Sequence, residues 1–141
     1  MYINIDFDGT CTTHAFPLVG KDIGAQKVLK RLVEKGHKII LFTMRSDKKG
    51  KMTTTNHDIV TIPGQYLTDA VNWFEDNNIP LAGIQSNPDQ KNWTDSPKSY
   101  AELMIDDSAL GCPLTSNYKI SNRRYVDWVE VEKWLENREI I

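Results

Sequence analysis

The sequence has little of several things that would otherwise decide its class. Only two of its 141 residues are cysteines, Cys11 and Cys112. Neither belongs to a CxxC pair, so no zinc-binding pattern is present. Two free thiols are the expectation for a chain kept in a reducing compartment. No apolar run approaches the roughly 20 residues that span a bilayer, and no membrane partner is expected. The N-terminus lacks a basic segment followed by an apolar one, so no secretory pattern is visible and a cytoplasmic location is expected. An excess of charge is also absent. The formal net charge is −2 and the pI about 5.9, unlike a dedicated nucleic-acid binder. Internal repeats and low-complexity segments are missing too.

What is present is ordinary for a globular domain. Hydrophobic residues make up 40% and charged residues 26%. A chain of 141 residues is expected to form one domain, residues 1–141. Residues 2–7 alternate and are rich in β formers, which predicts a strand. Ala25, Val28, Leu29, Leu32 and Val33 fall on one face of a helix that Gly36 is placed to stop. Residues 38–43 hold the run Ile-Ile-Leu-Phe, a buried strand. Leu67, Ala70, Val71 and Phe74 mark a second helix, ending near Asn77-Asn78-Ile79-Pro80. Residues 81–85 read as a weaker strand and 86–97 as a polar loop. Leu103-Met104-Ile105 is a further strand, and Trp128, Val131, Trp134 and Leu135 suggest a C-terminal helix. This alternation predicts an α/β fold: a three-layer, Rossmann-like arrangement with a mainly parallel sheet flanked by helices.

In such sheets ligands sit beyond the carboxyl ends of the strands. Three predicted strands end there in chemically capable residues: Asp6 and Asp8, Thr43, and Asp106 with Asp107. Carboxylates crowded at one edge push a pKa upward unless a cation neutralises them. A hard, oxygen-seeking cation such as magnesium suits that need. Gly9 permits a sharp turn after the first strand and close approach of a ligand.

The motif Asp6-Phe7-Asp8-Gly9-Thr10, preceded by Tyr2-Ile3-Asn4-Ile5, resembles the opening motif of the haloacid dehalogenase superfamily of phosphotransferases. Thr43 after Ile40-Leu41-Phe42 matches the second motif of that family. Lys98 in Ser96-Pro97-Lys98-Ser99-Tyr100 matches the third, and Ile105-Asp106-Asp107 the fourth. The resemblance covers residue 2 to about residue 110. It implies a magnesium-dependent phosphatase. Asp6 would be the nucleophile and Asp8 the general acid and base. Asp6, Asp107 and the Asp8 carbonyl would hold Mg2+. Thr43 would bond a phosphoryl oxygen, Lys98 would neutralise charge, and Gly9 and Thr10 would line the substrate site. An acid at position 8 distinguishes phosphoryl transfer from carbon–halogen chemistry. Many members carry another Asp four or five residues after the acidic pair; here those positions are Gly111 and Cys112.

Residues 11–23 are too few for one kind of cap domain, and residues between Thr43 and Lys98 are mostly used by predicted elements. A capless member with an open site is therefore expected. Open sites suit phosphorylated macromolecular ends, or small phosphates if another subunit of a homo-oligomer covers the cleft. Arg45 lies near the cleft, to meet a second anionic group of the substrate or to pair with Asp47. Lys48, Lys49 and Lys51, in the segment 46–64, would attract a polyanion, and Trp93 would stack on a base or sugar or pack on the protein's own core. Nucleic acid is thus an alternative partner but not the preferred one. His14 and His57 have no visible partner in the sequence. The competing readings are a polynucleotide-end phosphatase, a non-catalytic domain of the same fold, and a receiver domain. The last normally lacks the Asp-x-Asp-Gly-Thr opening.

Overall fold

The computed structural model describes residues 1–48 and 63–141. Its elements run β1 (Tyr2–Ile5), α1 (Ala25–Glu34), β2 (Lys38–Leu41), β3 (Asp47–Lys48), β4 (Gly64–Gln65), α2 (Tyr66–Asp76), β5 (Leu81–Ile84), β6 (Leu103–Ile105), β7 (Leu114–Thr115), β8 (Tyr125–Val126) and α3 (Trp128–Asn137). Lys49 and Lys51, two of the three lysines that raised the polyanion alternative, and His57 lie outside the described residues; Lys48 is exposed in β3.

The α/β class and the parallel sheet read from the sequence are what the structure has. Four strands pair in the order β5-β2-β1-β6, every neighbour parallel. The chain starts at β1, steps outward through β2 and β5, and then returns to place β6 on the other side of β1. Strand order therefore reverses between β1 and β6. A crevice opens at the carboxyl ends on either side of such a reversal.

Helix α1 forms because its apolar residues recur at i, i+3, i+4 and i+7. Ala25, Val28, Leu29 and Leu32 are all buried. It stops at Gly36, whose φ of +85° is left-handed. There the Gly36 N–H donates to Val33 O and the His37 N–H to Leu32 O. Each buried Leu contributes about 1.5–3 kcal/mol. Leu29→Ala would cost about 2–5 kcal/mol through the cavity it leaves. Helix α2 takes its cap from another segment: the Asp47 carboxylate accepts from Leu67 N and Thr68 N at 3.0 Å. Helix α3 caps itself through Asp127, which accepts from Val129 N and Glu130 N. Arg31 of α1 reaches Glu132 and Glu136 of α3.

All three helices share one core with Ile3, Ile5, Ile39, Leu41 and Ile105 of the sheet. Side chains alternate across a strand, so Asn4 faces the other way. It is buried there and exchanges hydrogen bonds with the Ser99 carbonyl and hydroxyl. Ser99 belongs to the crossover between β5 and β6. On this side the crossover holds one short 3-10 turn, Gln90–Asn92, rather than a full helix. Two short antiparallel pairs, β3–β4 and β7–β8, complete the described elements. No described helix is long and apolar enough to cross a membrane.

Candidate functional site

The turn after β1 is built around the Phe7 carbonyl. It accepts from the backbone N–H groups of Thr10, Cys11 and Thr12. The Phe7 ring is fully buried against Trp73 and Phe74 of α2. Residues beyond the motif hold the turn from outside. Trp128 Nε1 donates to the Thr10 carbonyl at 2.7 Å, and Val126 N to the Gly9 carbonyl at 2.9 Å. Gly9 has φ +82°. A Cβ there would lie 2.1 Å from His14 Nε2 and 2.7 Å from Asp107 Oδ2, so only glycine fits.

This turn brings Asp6 against the end of β6. Carboxylate oxygens of Asp6, Asp106 and Asp107 lie within 4.8 Å of one another. The Thr10 hydroxyl donates to Asp6 Oδ2 at 3.0 Å and accepts from Asp107 N at 3.0 Å, tying the two strand ends together. His14 Nε2 donates to Asp107 Oδ2 at 2.9 Å. Asp106 Oδ1 accepts from both the N–H and the hydroxyl of Ser108. Burial pushes the Asp6 carboxyl from 3.8 up to about 7. The charges of Asp106 and Asp107 add to that rise, and the Phe7 N–H and Thr10 hydroxyl oppose it.

The donor set fits a hard divalent cation. Three carboxylates converge, and the Asp8 carbonyl accepts no backbone hydrogen bond among the described residues. The third carboxylate is Asp106, which the sequence reading left out of the metal set. Asp8 turns its own carboxylate away from the cluster, toward Arg45. Cys11 is buried, its thiol pushed up by burial and by Asp6 and Asp8, and it donates to the Asp6 carbonyl. Both cysteines are free.

Arg45 does something other than offer an anion site. Its Nε and one terminal nitrogen grip both Asp8 oxygens at 2.7 and 2.8 Å. Two further donors go to the Leu18 carbonyl at 2.7 Å and the Tyr66 carbonyl at 3.2 Å. The side chain is 1% exposed. Its guanidinium lies beside the rings of Phe7 and Phe16, at 4.9 and 5.3 Å. The sequence reading expects Arg45 to meet a second substrate anion; in the structure its guanidinium bonds Asp8 and the carbonyls of Leu18 and Tyr66. It does not pair with Asp47, whose carboxylate caps α2.

Thr43 stands beyond β2, beside the end of β1, since Phe42 N donates to Ile5 O. Its hydroxyl oxygen accepts from Arg45 N, leaving the O–H to donate. Gln85, the residue after β5, clamps this turn: it accepts from Thr43 N and donates to the carbonyls of Thr43 and Arg45. Lys98 is exposed, and its ammonium makes no hydrogen bond or ion pair among the described residues. It lines a surface groove with Trp93, Ser96 and Tyr100. Ser99 holds this segment against Asn4, two residues before Asp6. The structure thus brings together Asp6, Asp106, Asp107, Thr10, Gly9 and His14, and seats Asp8 and Thr43 around Arg45, while the Lys98 ammonium is unbonded among the described residues. The predicted loop Trp93 is exposed and meets Tyr100 edge-on at 5.4 Å.

Sequence reasoning missed the braces Gln85 and Trp128. Both are tertiary contacts between distant segments and carry no local pattern. His14 had a signal, five residues past Gly9, but its partner is 93 residues away.

No protein-family model and no curated protein matches the chain. Among solved structures it is similar to one described as a conserved protein coded by a locus of Bacteroides thetaiotaomicron. The two share 24% identity with a TM-score of 0.69, over 98% of this chain and 91% of the other. That likeness shows a shared fold.

Proposed function

We propose that the chain is a magnesium-dependent phosphomonoesterase of the haloacid dehalogenase type, with Asp6 as nucleophile. The observation that carries this reading is the convergence of Asp6, Asp106 and Asp107 at the strand-order reversal, with the Asp6 carboxyl raised to about 7. Three carboxylates that repel one another in a half-buried crevice are a poor choice for folding and a good one for a divalent cation. A bound Mg2+ would neutralise the cluster and the phosphoryl oxygens.

The remaining steps belong to side chains. An Asp6 oxygen attacks phosphorus, the bond to the leaving oxygen breaks, and the leaving alcohol takes its proton from Asp8. Water then attacks the phosphorus of the aspartyl-phosphate and passes its proton to Asp8. This frees inorganic phosphate and restores Asp6. Arg45 holds Asp8 in one orientation through two parallel bonds. The Thr43 hydroxyl supplies a donor for a phosphoryl oxygen. Lys98 would swing its unbonded ammonium toward the anion when substrate is present.

The test is hydrolysis of para-nitrophenyl phosphate with magnesium, with excess chelator, and in Asp6→Asn and Asp8→Asn. Magnesium-dependent release that both substitutions abolish is the expected result. Undiminished release by Asp6→Asn would remove Asp6 as nucleophile. Magnesium-independent release would remove the metal from the scheme.

A further inference from the structure

The proposed chemistry fixes where the leaving group must lie. The alcohol that takes a proton from Asp8 has to touch the Asp8 carboxylate. Its carbon skeleton then extends over the residues around the Asp8–Arg45 pair, away from the acidic cluster. Those residues are apolar and exposed. Phe16 is 58% exposed, Leu18 72% and Met44 97%. Each is linked to the pair. The Phe16 ring lies 5.3 Å from the Arg45 guanidinium and 5.1 Å from the Tyr66 ring. The Leu18 carbonyl accepts from Arg45. Met44 joins Thr43 to Arg45 in the chain. Single exposed apolar residues are normal and need no explanation. Here the Phe16 ring lies against the pair, and Leu18 and Met44 are exposed apolar residues on the chain segments that hold Arg45.

Resting on the phosphatase reading, we propose that Phe16, Leu18 and Met44 form an apolar rim that selects phosphomonoesters whose alcohol carries an aromatic or other apolar group. The ring of such a substrate packs on Phe16 and Tyr66 while its phosphate enters the cluster. Polar alcohols such as glycerol gain nothing there and leave the rim wetted. Arg45 supports both sides of this arrangement. In the resting protein its charge is matched by Asp8.

The deciding comparison is benzyl phosphate against glycerol 3-phosphate. Both leave as aliphatic alkoxides, so ring contact rather than leaving-group acidity separates them. The rim is expected to raise kcat/KM for the benzyl ester about tenfold or more, chiefly through KM, the effect of one buried apolar group. Leu18→Ser and Met44→Ser should erase most of that preference and leave glycerol 3-phosphate turnover unchanged. Phe16→Ser is secondary, because Phe16 also covers Arg45. In parallel, calorimetry compares benzylphosphonate with methylphosphonate, neither of which turns over, in the presence of magnesium. Turnover of both esters at equal kcat/KM, or equal loss on both in the two variants, overturns the rim. Selective benzylphosphonate binding without turnover of any ester keeps the rim and overturns the catalytic reading. Equal phosphonate binding without turnover overturns both.

Discussion

Replacing Asp6 by asparagine should stabilise the metal-free protein and, under the phosphatase reading, remove the proposed activity in one step. The Asp6 carboxyl is pushed from 3.8 to about 7 in the folded chain, first by burial and then by Asp106 and Asp107. An acid with a raised folded pKa favours the native state while it is protonated. Its contribution is intact below pH 3.8 and is lost as pH rises to about 7. At 1.36 kcal/mol for each pH unit, the charged form costs the fold about 4 kcal/mol above that window. The amide of an asparagine would keep the shape and the acceptor for the Thr10 hydroxyl without the charge. At pH 8, in chelator, Asp6→Asn is therefore expected to unfold on the order of 10 °C higher than the parent, at roughly 3 °C per kcal/mol. At pH 4 the gap should close. Thermal unfolding by circular dichroism at five pH values from 4 to 8 reads this directly. A gap that stays constant with pH would refute the reasoning, because it would show that Asp6 is solvated or already neutralised. A gap at pH 8 that saturating magnesium abolishes would tie the same carboxylate to the cation.

Three further outcomes follow from the same geometry. Arg45→Met should cost about 3 kcal/mol or more in urea unfolding, because it strands a partly buried Asp8, and Asp8→Asn/Arg45→Met should cost less than the sum of its parts. Gly9→Ala should cost more than about 1 kcal/mol from its left-handed backbone alone; combining it with His14→Ala should recover part of the loss, since the Cβ would meet His14 Nε2 first. Magnesium binding at pH 6 should release about 0.9 proton per ion and at pH 8 about 0.1, given an Asp6 pKa of about 7; calorimetry in buffers of different ionisation enthalpy measures it, and equal release at both pH values would contradict the Asp6 assignment.

Periodicity made most of the fold legible. The face Ala25, Val28, Leu29 and Leu32, stopped by Gly36, is α1, and Ile-Ile-Leu is the core of β2. What periodicity does not carry is a pair of residues, such as β7 and β8, whose pairing depends on segments ten residues apart. The site was legible where its residues share a short motif: Asp6, Gly9 and Thr10 lie in one turn, and the Thr10 hydroxyl bonds Asp6 and Asp107 N. It was less so where function depends on what a side chain touches. Arg45 reads in sequence as a contact for a substrate anion or a partner of Asp47, yet its partners are Asp8, 37 residues back, and the backbone of two other segments. Asp106 reads as a support of the metal site or a cap of the following turn; it bonds Ser108 in that turn, and the approach of β6 to β1 brings it to Asp6.

The two acids of the opening motif stand one residue apart and are treated in opposite ways. Asp8 has a dedicated, permanent cation, a guanidinium bound to both its oxygens and walled by Phe7 and Phe16. Asp6 has no bonded protein cation among the described residues; its partners are a hydroxyl, a backbone N–H and two further carboxylates. Under the phosphoryl-transfer reading this division is required rather than incidental. A group that hands protons to and from a leaving oxygen must hold one orientation, which a bidentate arginine enforces. A nucleophile must keep a lone pair and an open line of approach to phosphorus. A bidentate arginine would crowd both, whereas a proton on Asp8 can sit on a lone pair outside its two arginine bonds. The nucleophile's charge is better balanced by an ion that also draws in the phosphate and leaves part of its shell to water. The instability stored at Asp6 and the rigidity built around Asp8 are thus two halves of one arrangement.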